Sequence, residues 1–217
     1  MDEYPKIQTV WKRDERGKII EGDYSLPEFA YLKDNLWVFS EKVDGTNIRI
    51  QWDGKAVEFG GKTDNAQIPA PLLKRLNELF TLDKMVAIGQ ESFCLYGEGY
   101  GAKIQKGGGN YKPDGVDFVL FDVKVGTWWL QRPDIEDVAQ KLGIRIIPLA
   151  GTGNLQDMCR IVKAGFKSTW GSFWAEGLVA KPEVELFSRK GERLITKIKT
   201  KDYLNFILGK NFQKKLK

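Results

Sequence analysis

The sequence predicts an α+β fold of mainly antiparallel sheets with flanking helices, and three observations carry that expectation. Thr46–Trp52 alternates, with Ile48, Ile50 and Trp52 on one face and Asn47, Arg49 and Gln51 on the other, the period of a half-buried strand. Asp53-Gly54 is a hairpin turn signal, after which Ala56–Gly60 returns antiparallel. Further along, strand and helix patterns interleave without the regular strand–helix–strand repeat of a parallel sheet.

Each element follows from its local pattern. Leu36–Lys42 is apolar-rich and β-prone, so a strand leads into the turn Val43-Asp44-Gly45. Pro69–Phe80 places Leu72, Leu73, Leu76 and Phe80 at helical spacing, with prolines at its start. Phe118–Val125 is a strand, and Pro133–Leu142 a short helix that turns Ile135, Val138 and Leu142 inward and stops at Gly143. Ile144–Leu149 is expected as a strand and Leu155–Ala164 as a helix. Strands at Gly177–Lys181 and Leu194–Thr200 follow, the second after an Arg189-Lys190-Gly191-Glu192 turn. Asp202 is expected to cap a final amphipathic helix running through Leu208, with a lysine-rich tail behind it.

Composition bounds the chemistry. A chain of 217 residues favours one domain over two. We therefore expect a single domain over 1–217, with 1–35 as its N-terminal extension and 201–217 as a basic helix and tail. No apolar run reaches the roughly 18–20 residues of a membrane span, and the polar start Met1-Asp2-Glu3-Tyr4-Pro5 is unlike a signal peptide. Cys94 and Cys159 stand far apart without CxxC spacing, so they are expected as free thiols in a reducing cytoplasm. A net charge of +5 suits a polyanionic partner without requiring one. The absence of histidine excludes Ser-His-Asp and Cys-His hydrolysis, His-ligated zinc and imidazole acid–base chemistry. An enzyme of this composition works with Lys, Asp, Glu, Tyr and bound metal.

Six short stretches carry such chemistry. In Glu41-Lys42-Val43-Asp44-Gly45-Thr46-Asn47, a lysine ends a buried strand just before a tight turn, a place where its stem packs and its amine is presented. Lysine attacks only when neutral and ordinarily titrates at about 10.4, so it needs activation by neighbouring cations or a desolvated pocket. Lys197 and Lys199 are i, i+2 on a strand and share a face, opposite Leu194, Thr196 and Ile198; two ammonium groups there suit a phosphate clamp. Glu176, ahead of Gly177 at a strand start, suits a hard oxygen ligand for magnesium. Glu98 lies between Gly97 and Gly99, which would admit a ligand close to the backbone. Lys62 sits in Gly60-Gly61-Lys62-Thr63-Asp64, and Phe121 in the apolar run Val119-Leu120-Phe121-Asp122-Val123. Each stretch alone has a commoner explanation: a surface lysine, a solvated strand face, a core phenylalanine.

Taken together and in this order, the stretches resemble the covalent nucleotidyltransferase superfamily of ATP-dependent polynucleotide ligases and RNA capping enzymes, and within it the RNA ligases most. The resemblance runs from about Leu36 to Thr200. It implies an adenylation domain, ATP-grasp-like, with the nucleotide in a groove between sheets. It also implies that Lys42 attacks the α-phosphorus of ATP and carries AMP, that Glu41 contacts the adenine edge, and that Asn47 lies near metal and phosphate. Lys62 is then an accessory phosphate contact, Glu98 holds the ribose hydroxyls, Phe121 stacks on adenine, and Glu176 coordinates Mg2+ or Mn2+. Lys197 and Lys199 would grip the α-phosphate.

Beyond Thr200 only Lys201–Lys217 remain, too little for the C-terminal domain of DNA ligases and capping enzymes, and only about forty residues precede Lys42, without an evident NMN-recognising domain. The expected activity is therefore ATP-dependent joining of RNA 3′-hydroxyl and 5′-phosphate ends, with the nicked duplex left open as a substrate form. A minimal DNA ligase, an RNA guanylyltransferase and a non-catalytic RNA-binding module stand as alternatives. Gly101–Lys112 is basic and glycine-rich and ends in an aromatic; it reads as a surface loop or as an arm for the nucleotide or the 5′-phosphate strand. Lys210, Lys214, Lys215 and Lys217 add charge that would make binding salt-dependent. Two apparent motifs fail on spacing: Ala56 replaces the first glycine of a P-loop, and Ala102 the third glycine of a dinucleotide fingerprint.

Overall fold

A computed structural model describes residues 1–207, with side chains described as far as Tyr203. The chain forms two compact units. One contains Met1–Tyr4 and Val43–Ile147; the other contains Pro5–Lys42 and the described residues from Pro148 on.

The second unit opens with β1 (Gln8–Thr9), β2 (Trp11–Arg13), β3 (Ile19–Tyr24), helix α1 (Pro27–Tyr31) and β4 (Trp37–Glu41). The chain then crosses into the first unit for β5 (Thr46–Trp52), β6 (Val57–Gly60), α2 (Ala70–Leu79), α3 (Leu82–Ile88), β7 (Phe93–Gly101), α4 (Gly108–Tyr111), β8 (Val116–Val125), β9 (Trp128–Trp129), α5 (Arg132–Leu142) and β10 (Arg145–Ile146). It returns for β11 (Leu149–Gly153), α6 (Leu155–Ala164), β12 (Gly177–Pro182), β13 (Thr196–Lys199) and α7 (Thr200–Ile207).

The first unit is a six-stranded sheet in the order β10-β8-β7-β5-β6, with β9 beside β8. Its buried face carries Ile48, Ile50, Trp52, Leu95, Phe118 and Leu120 against Leu72 and Leu76 of α2 and Ile135 and Leu142 of α5. The second unit has a five-stranded sheet in the order β1-β13-β12-β4-β11, with β2 and β3 forming a separate pair. Trp37, Phe39, Leu178 and Ile198 pack there with Leu155, Met158 and Val162 of α6. Among the described strands, only β1–β13 and β10–β8 pair in parallel. The α+β, mainly antiparallel architecture is thus the one the sequence predicts.

Several boundaries differ from expectation, each for a physical reason. Ile144–Leu149 is not one strand but two, β10 and β11, in different sheets, with the change of unit at Ile147/Pro148. Leu73, expected inward, is 39% exposed, because the helix stripe follows Leu72, Leu76 and Leu79. α7 begins at Thr200, so Asp202 lies inside its first turn and not at its cap. There its Oδ2 accepts the Lys199 N–H and pairs with Arg13. Leu208 and the tail lysines Lys210, Lys214, Lys215 and Lys217 fall outside the described residues.

Candidate active site

In the second unit, β12 runs antiparallel to both β4 and β13. The end of β4, the start of β12 and the end of β13 therefore share one edge of the sheet. Leu178 pairs with Glu41 and Gly177 with Lys199, while the Lys42 N–H donates to the Gly177 carbonyl at 2.9 Å. Gly177 has φ +157, and a Cβ there would fall on the Ile198 carbonyl, so only glycine lets the strands close at this point. Glu176, the residue before it, is held by its own carbonyl, which accepts the Thr200 N–H at 2.8 Å.

The side chains meet at that edge. Lys42 Nζ donates to Glu176 Oε2 at 2.7 Å, and Lys199 Nζ lies 2.6 Å from Glu176 Oε1. The Glu176 side chain is only 15% exposed. One carboxylate thus sits between two ammonium groups. On β13, Thr196 and Ile198 are buried while Lys197 and Lys199 are half-buried on the opposite face, as their spacing requires.

Glu41 takes a different place. It is 1% exposed, and its carboxylate accepts Ser168 Oγ–H at one oxygen and both Thr169 N–H and Thr169 Oγ1–H, each at 2.9 Å, at the other. The expected contact of Glu41 with an adenine edge therefore has to share a carboxylate already committed to the 168–169 turn. That turn lies in a small hairpin bridged from Lys167 to Trp174, where Lys167 Nζ stands 3.9 Å from the Trp174 ring centroid.

In the first unit, Asn47 on β5 is the direct cross-strand partner of Glu98 on β7, so the two lie in one row of the sheet. Asn47 Oδ1 is buried and accepts no hydrogen bond among the described residues. Such an acceptor costs about 1–3 kcal/mol and fits an incoming donor such as a metal-bound water or a sugar hydroxyl. Phe121 lies at a β-bulge: Tyr96 pairs with Asp122 and Gly97 with Leu120, leaving Phe121 as the extra residue. Bulges of this kind re-aim a side chain and occur often beside active sites. The Tyr4 ring stands edge-on to Phe121 at 5.0 Å, and its hydroxyl donates to Asp122 Oδ2 at 2.5 Å.

Gly97 and Gly99 do not open space for a ligand. A side chain at the first would meet Phe118 and at the second Leu72, so these glycines serve internal packing. Lys62 is exposed and makes no ion pair among the described residues. The sequence reading missed the residue that sets its loop. Arg49, placed by alternation on the solvent face, is 1% exposed; it donates to the Gly61 and Met1 carbonyls and to Asp64 Oδ1. Nothing local marks Arg49, because two of these partners come from the loop beyond the hairpin and the third from the far N-terminus. Asp44 was also missed; its Oδ2 accepts the Gly107 N–H at 2.9 Å.

The residue types fit a divalent cation. Within the second unit, Glu176 already attracts two cationic groups. No cluster of three or more His, Cys, Asp or Glu side chains is placed to hold an ion among the described residues. An ion at Glu176 would keep mostly water and phosphate oxygens, which is how magnesium is usually held.

The fold is α+β, and at one end of a sheet it sets two lysines on one carboxylate. The family model for RNA ligase matches residues 35–199, and the chain belongs to that family. No curated protein sequence matches it. Solved structures of the Naegleria gruberi RNA ligase share the fold. A point mutant with ATP and manganese aligns at TM-score 0.65 and 16% identity over 93% of this chain. The same ligase with pyrophosphate aligns at TM-score 0.65 and 19% identity over 93% of this chain. Our chain spans 62% and 63% of those two chains, somewhat under two thirds of the solved ligase.

Proposed function

We propose that this chain is an ATP-dependent RNA ligase that joins 3′-hydroxyl and 5′-phosphate ends through AMP carried on Lys42. The observation that carries the reading is the placement of Glu176 between Lys42 and Lys199 at one strand edge. Membership in the RNA ligase family and the likeness to a ligase solved with ATP and manganese support it.

In the arrangement described, Lys42 is an ammonium held against a carboxylate, and a nitrogen whose lone pair carries a proton is no nucleophile. A divalent cation at Glu176 would take over the carboxylate's charge and stabilise negative charge on departing pyrophosphate. Lys42 would first give its ammonium proton to solvent, and its neutral amine then attacks the α-phosphorus. A P–N bond forms, the bond to pyrophosphate breaks, and the nitrogen loses a second proton to solvent. Lys199, which a cation at Glu176 would leave free of that carboxylate, and Lys197 on its face would stabilise charge on the α-phosphate. An oxygen of the RNA 5′-phosphate next attacks the same phosphorus, breaking the P–N bond and restoring Lys42. Finally the 3′-hydroxyl attacks the activated 5′-phosphate, and AMP leaves. Phe121 offers its ring to adenine, Glu98 its carboxylate to the ribose, Asn47 its buried oxygen to a donor near the phosphates, and Lys62 its free ammonium to phosphate.

Incubation with α-labelled ATP and magnesium, followed by a denaturing gel, tests the nucleophile. The wild type is expected to carry covalent label and Lys42→Ala none. Label persisting in Lys42→Ala, or no label in the wild type, sinks the mechanism. Labelling by GTP in preference to ATP would instead indicate capping chemistry. Nicks with RNA or DNA on each side of the break then fix the strand, and sealing confined to DNA would overturn the RNA assignment.

A further inference from the structure

Gly101–Lys112 leaves the end of β7 and returns through α4 to β8, wholly within the first unit. It is built to hold one shape. The Ala102 N–H donates to the Gly115 and Lys112 carbonyls, at 2.8 and 3.0 Å. Gly108 is buried, and the Tyr111 ring packs on Tyr100 at 6.2 Å. Lys112 closes the far end on Asp117 Oδ2 at 3.0 Å. The middle is latched by Asp44, whose Oδ2 accepts the Gly107 N–H. A Cβ on Gly107 would come within 2.6 Å of that oxygen and push the Asp44 carboxylate off its hydrogen bond.

Two features of the loop are left over by this account. Lys103 has φ +66 and is the one described residue other than glycine in the left-handed region. An L side chain is strained there and glycine is not. The chain uses glycine freely at 101, 107, 108, 109 and 115, yet keeps lysine at the strained position. Retained backbone strain of this kind points to a role for the side chain. Second, Lys103 and Lys106 are exposed and make no ion pair or hydrogen bond through their side chains among the described residues, whereas Lys112 and Lys124 of the same unit are paired with Asp117 and Asp2. No acid lies between Gly101 and Lys112.

We propose that Lys103 and Lys106, displayed by the Asp44-latched loop, bind backbone phosphates of the RNA strand to be sealed. The proposal rests on the RNA ligase reading above. Asp44 is two residues beyond Lys42, so chain geometry alone keeps its Cα within about 7 Å of the nucleophile's Cα. Two exposed, water-screened ammonium groups add little to the grip on a small triphosphate. They add more to a polymer whose other phosphates are held elsewhere. The ATP triphosphate is the rival source of the same phosphate chemistry, and the test separates the two.

The test compares the wild type, the double variant Lys103→Gly/Lys106→Ala, and Gly107→Ala, which keeps both lysines but breaks the latch. Three readouts are taken: thermal melting, self-adenylation with labelled ATP and magnesium alone, and anisotropy of a 3′-fluorescein, 5′-phosphorylated single-stranded RNA over a salt series. The double variant is expected to melt at or above the wild-type temperature, since glycine relieves the strain, and to adenylate within twofold of wild type. Its RNA affinity should fall about tenfold, and the salt slope should flatten by about 0.7 for each lysine removed. Gly107→Ala should weaken RNA binding as well. Unchanged RNA affinity and slope in the double variant would overturn the proposal, as would adenylation lost in step with RNA binding, which would assign these lysines to ATP. A wild type that neither adenylates nor binds this RNA would instead overturn the ligase reading itself.

Discussion

At the residue scale, the arrangement on which the proposed mechanism turns is one carboxylate shared by two lysines. Removing Glu176 leaves Lys42 and Lys199 facing each other as like charges and, in the proposed mechanism, removes the carboxylate that would hold the cation. We expect Glu176→Ala and Lys199→Ala each to lower the rate of self-adenylation by about 10²- to 10³-fold, the usual cost of losing one preorganised charge-stabilising group. Single-turnover labelling at saturating ATP measures it, and a rate within threefold of wild type for Glu176→Ala would remove that residue from the chemistry. Asn47 offers a different kind of test. Its Oδ1 is buried without a donor, so the free protein loses nothing by giving that oxygen up. Asn47→Ala should therefore melt within a few degrees of wild type while adenylating more slowly, as expected where function is set against stability. A variant that instead loses stability and activity together would assign Asn47 to the framework.

Secondary-structure elements were legible where their signals are local. The helix Leu155–Ala164 and the strand Thr46–Trp52 have the boundaries their sequence implies. α6 starts with a capping box, in which the Asn154 side chain accepts the Asp157 N–H and the Asp157 carboxylate accepts the Asn154 N–H. Asn154→Ala should cost about 1 kcal/mol in a urea melt. Elements whose partners are distant were not legible. β1 finds its place only against β13, with Thr196 and Gln8 188 residues apart, and β1 to β3 have no alternating apolar pattern of their own. The same reason hides Glu41. The lysine motif draws the eye to its ligand-facing neighbours, yet the Glu41 carboxylate is engaged 127 residues away by the 168–169 turn. Glu41→Ala strips that turn of its acceptor and leaves buried donors unpaired, for an expected loss of about 1–3 kcal/mol. Equilibrium denaturation checks this, and a stability equal to wild type would return Glu41 to the role its motif suggests.

For the molecule as a whole, the absence of histidine leaves no side chain with an ordinary titration between about pH 5 and 8. Stability over that range should therefore be nearly flat, and the groups with displaced titrations set where it ends. On the acid side, hydrogen bonds and charge from Lys124 hold the Asp2 carboxyl below its ordinary 3.8. Burial pushes Asp117 up, but hydrogen bonds from Lys112 and Arg75 outweigh it and hold that carboxyl low as well. Carboxyls depressed in the folded state contribute stability above their ordinary value and lose it as pH falls through the folded one. On the alkaline side the sign reverses. Burial pushes the Cys159 thiol from 9.0 up to about 12 and the Tyr100 hydroxyl from 10.0 up to about 12, and it raises Tyr96 and Tyr203 too. Groups kept protonated by folding contribute stability in full below their unfolded titration and lose it as pH climbs from there through the folded value. Thermal melts followed by circular dichroism should accordingly show a plateau between about pH 5 and 9, a fall below about 4, and a progressive fall from about 9 towards 12. Cys159→Ala should make the alkaline fall less steep without delaying its onset, because burial also raises the Cys94 thiol above 9.0 and that group remains. A melting temperature that already drops between pH 6 and 8, where no histidine exists to titrate, would contradict this account of what the core withholds from water.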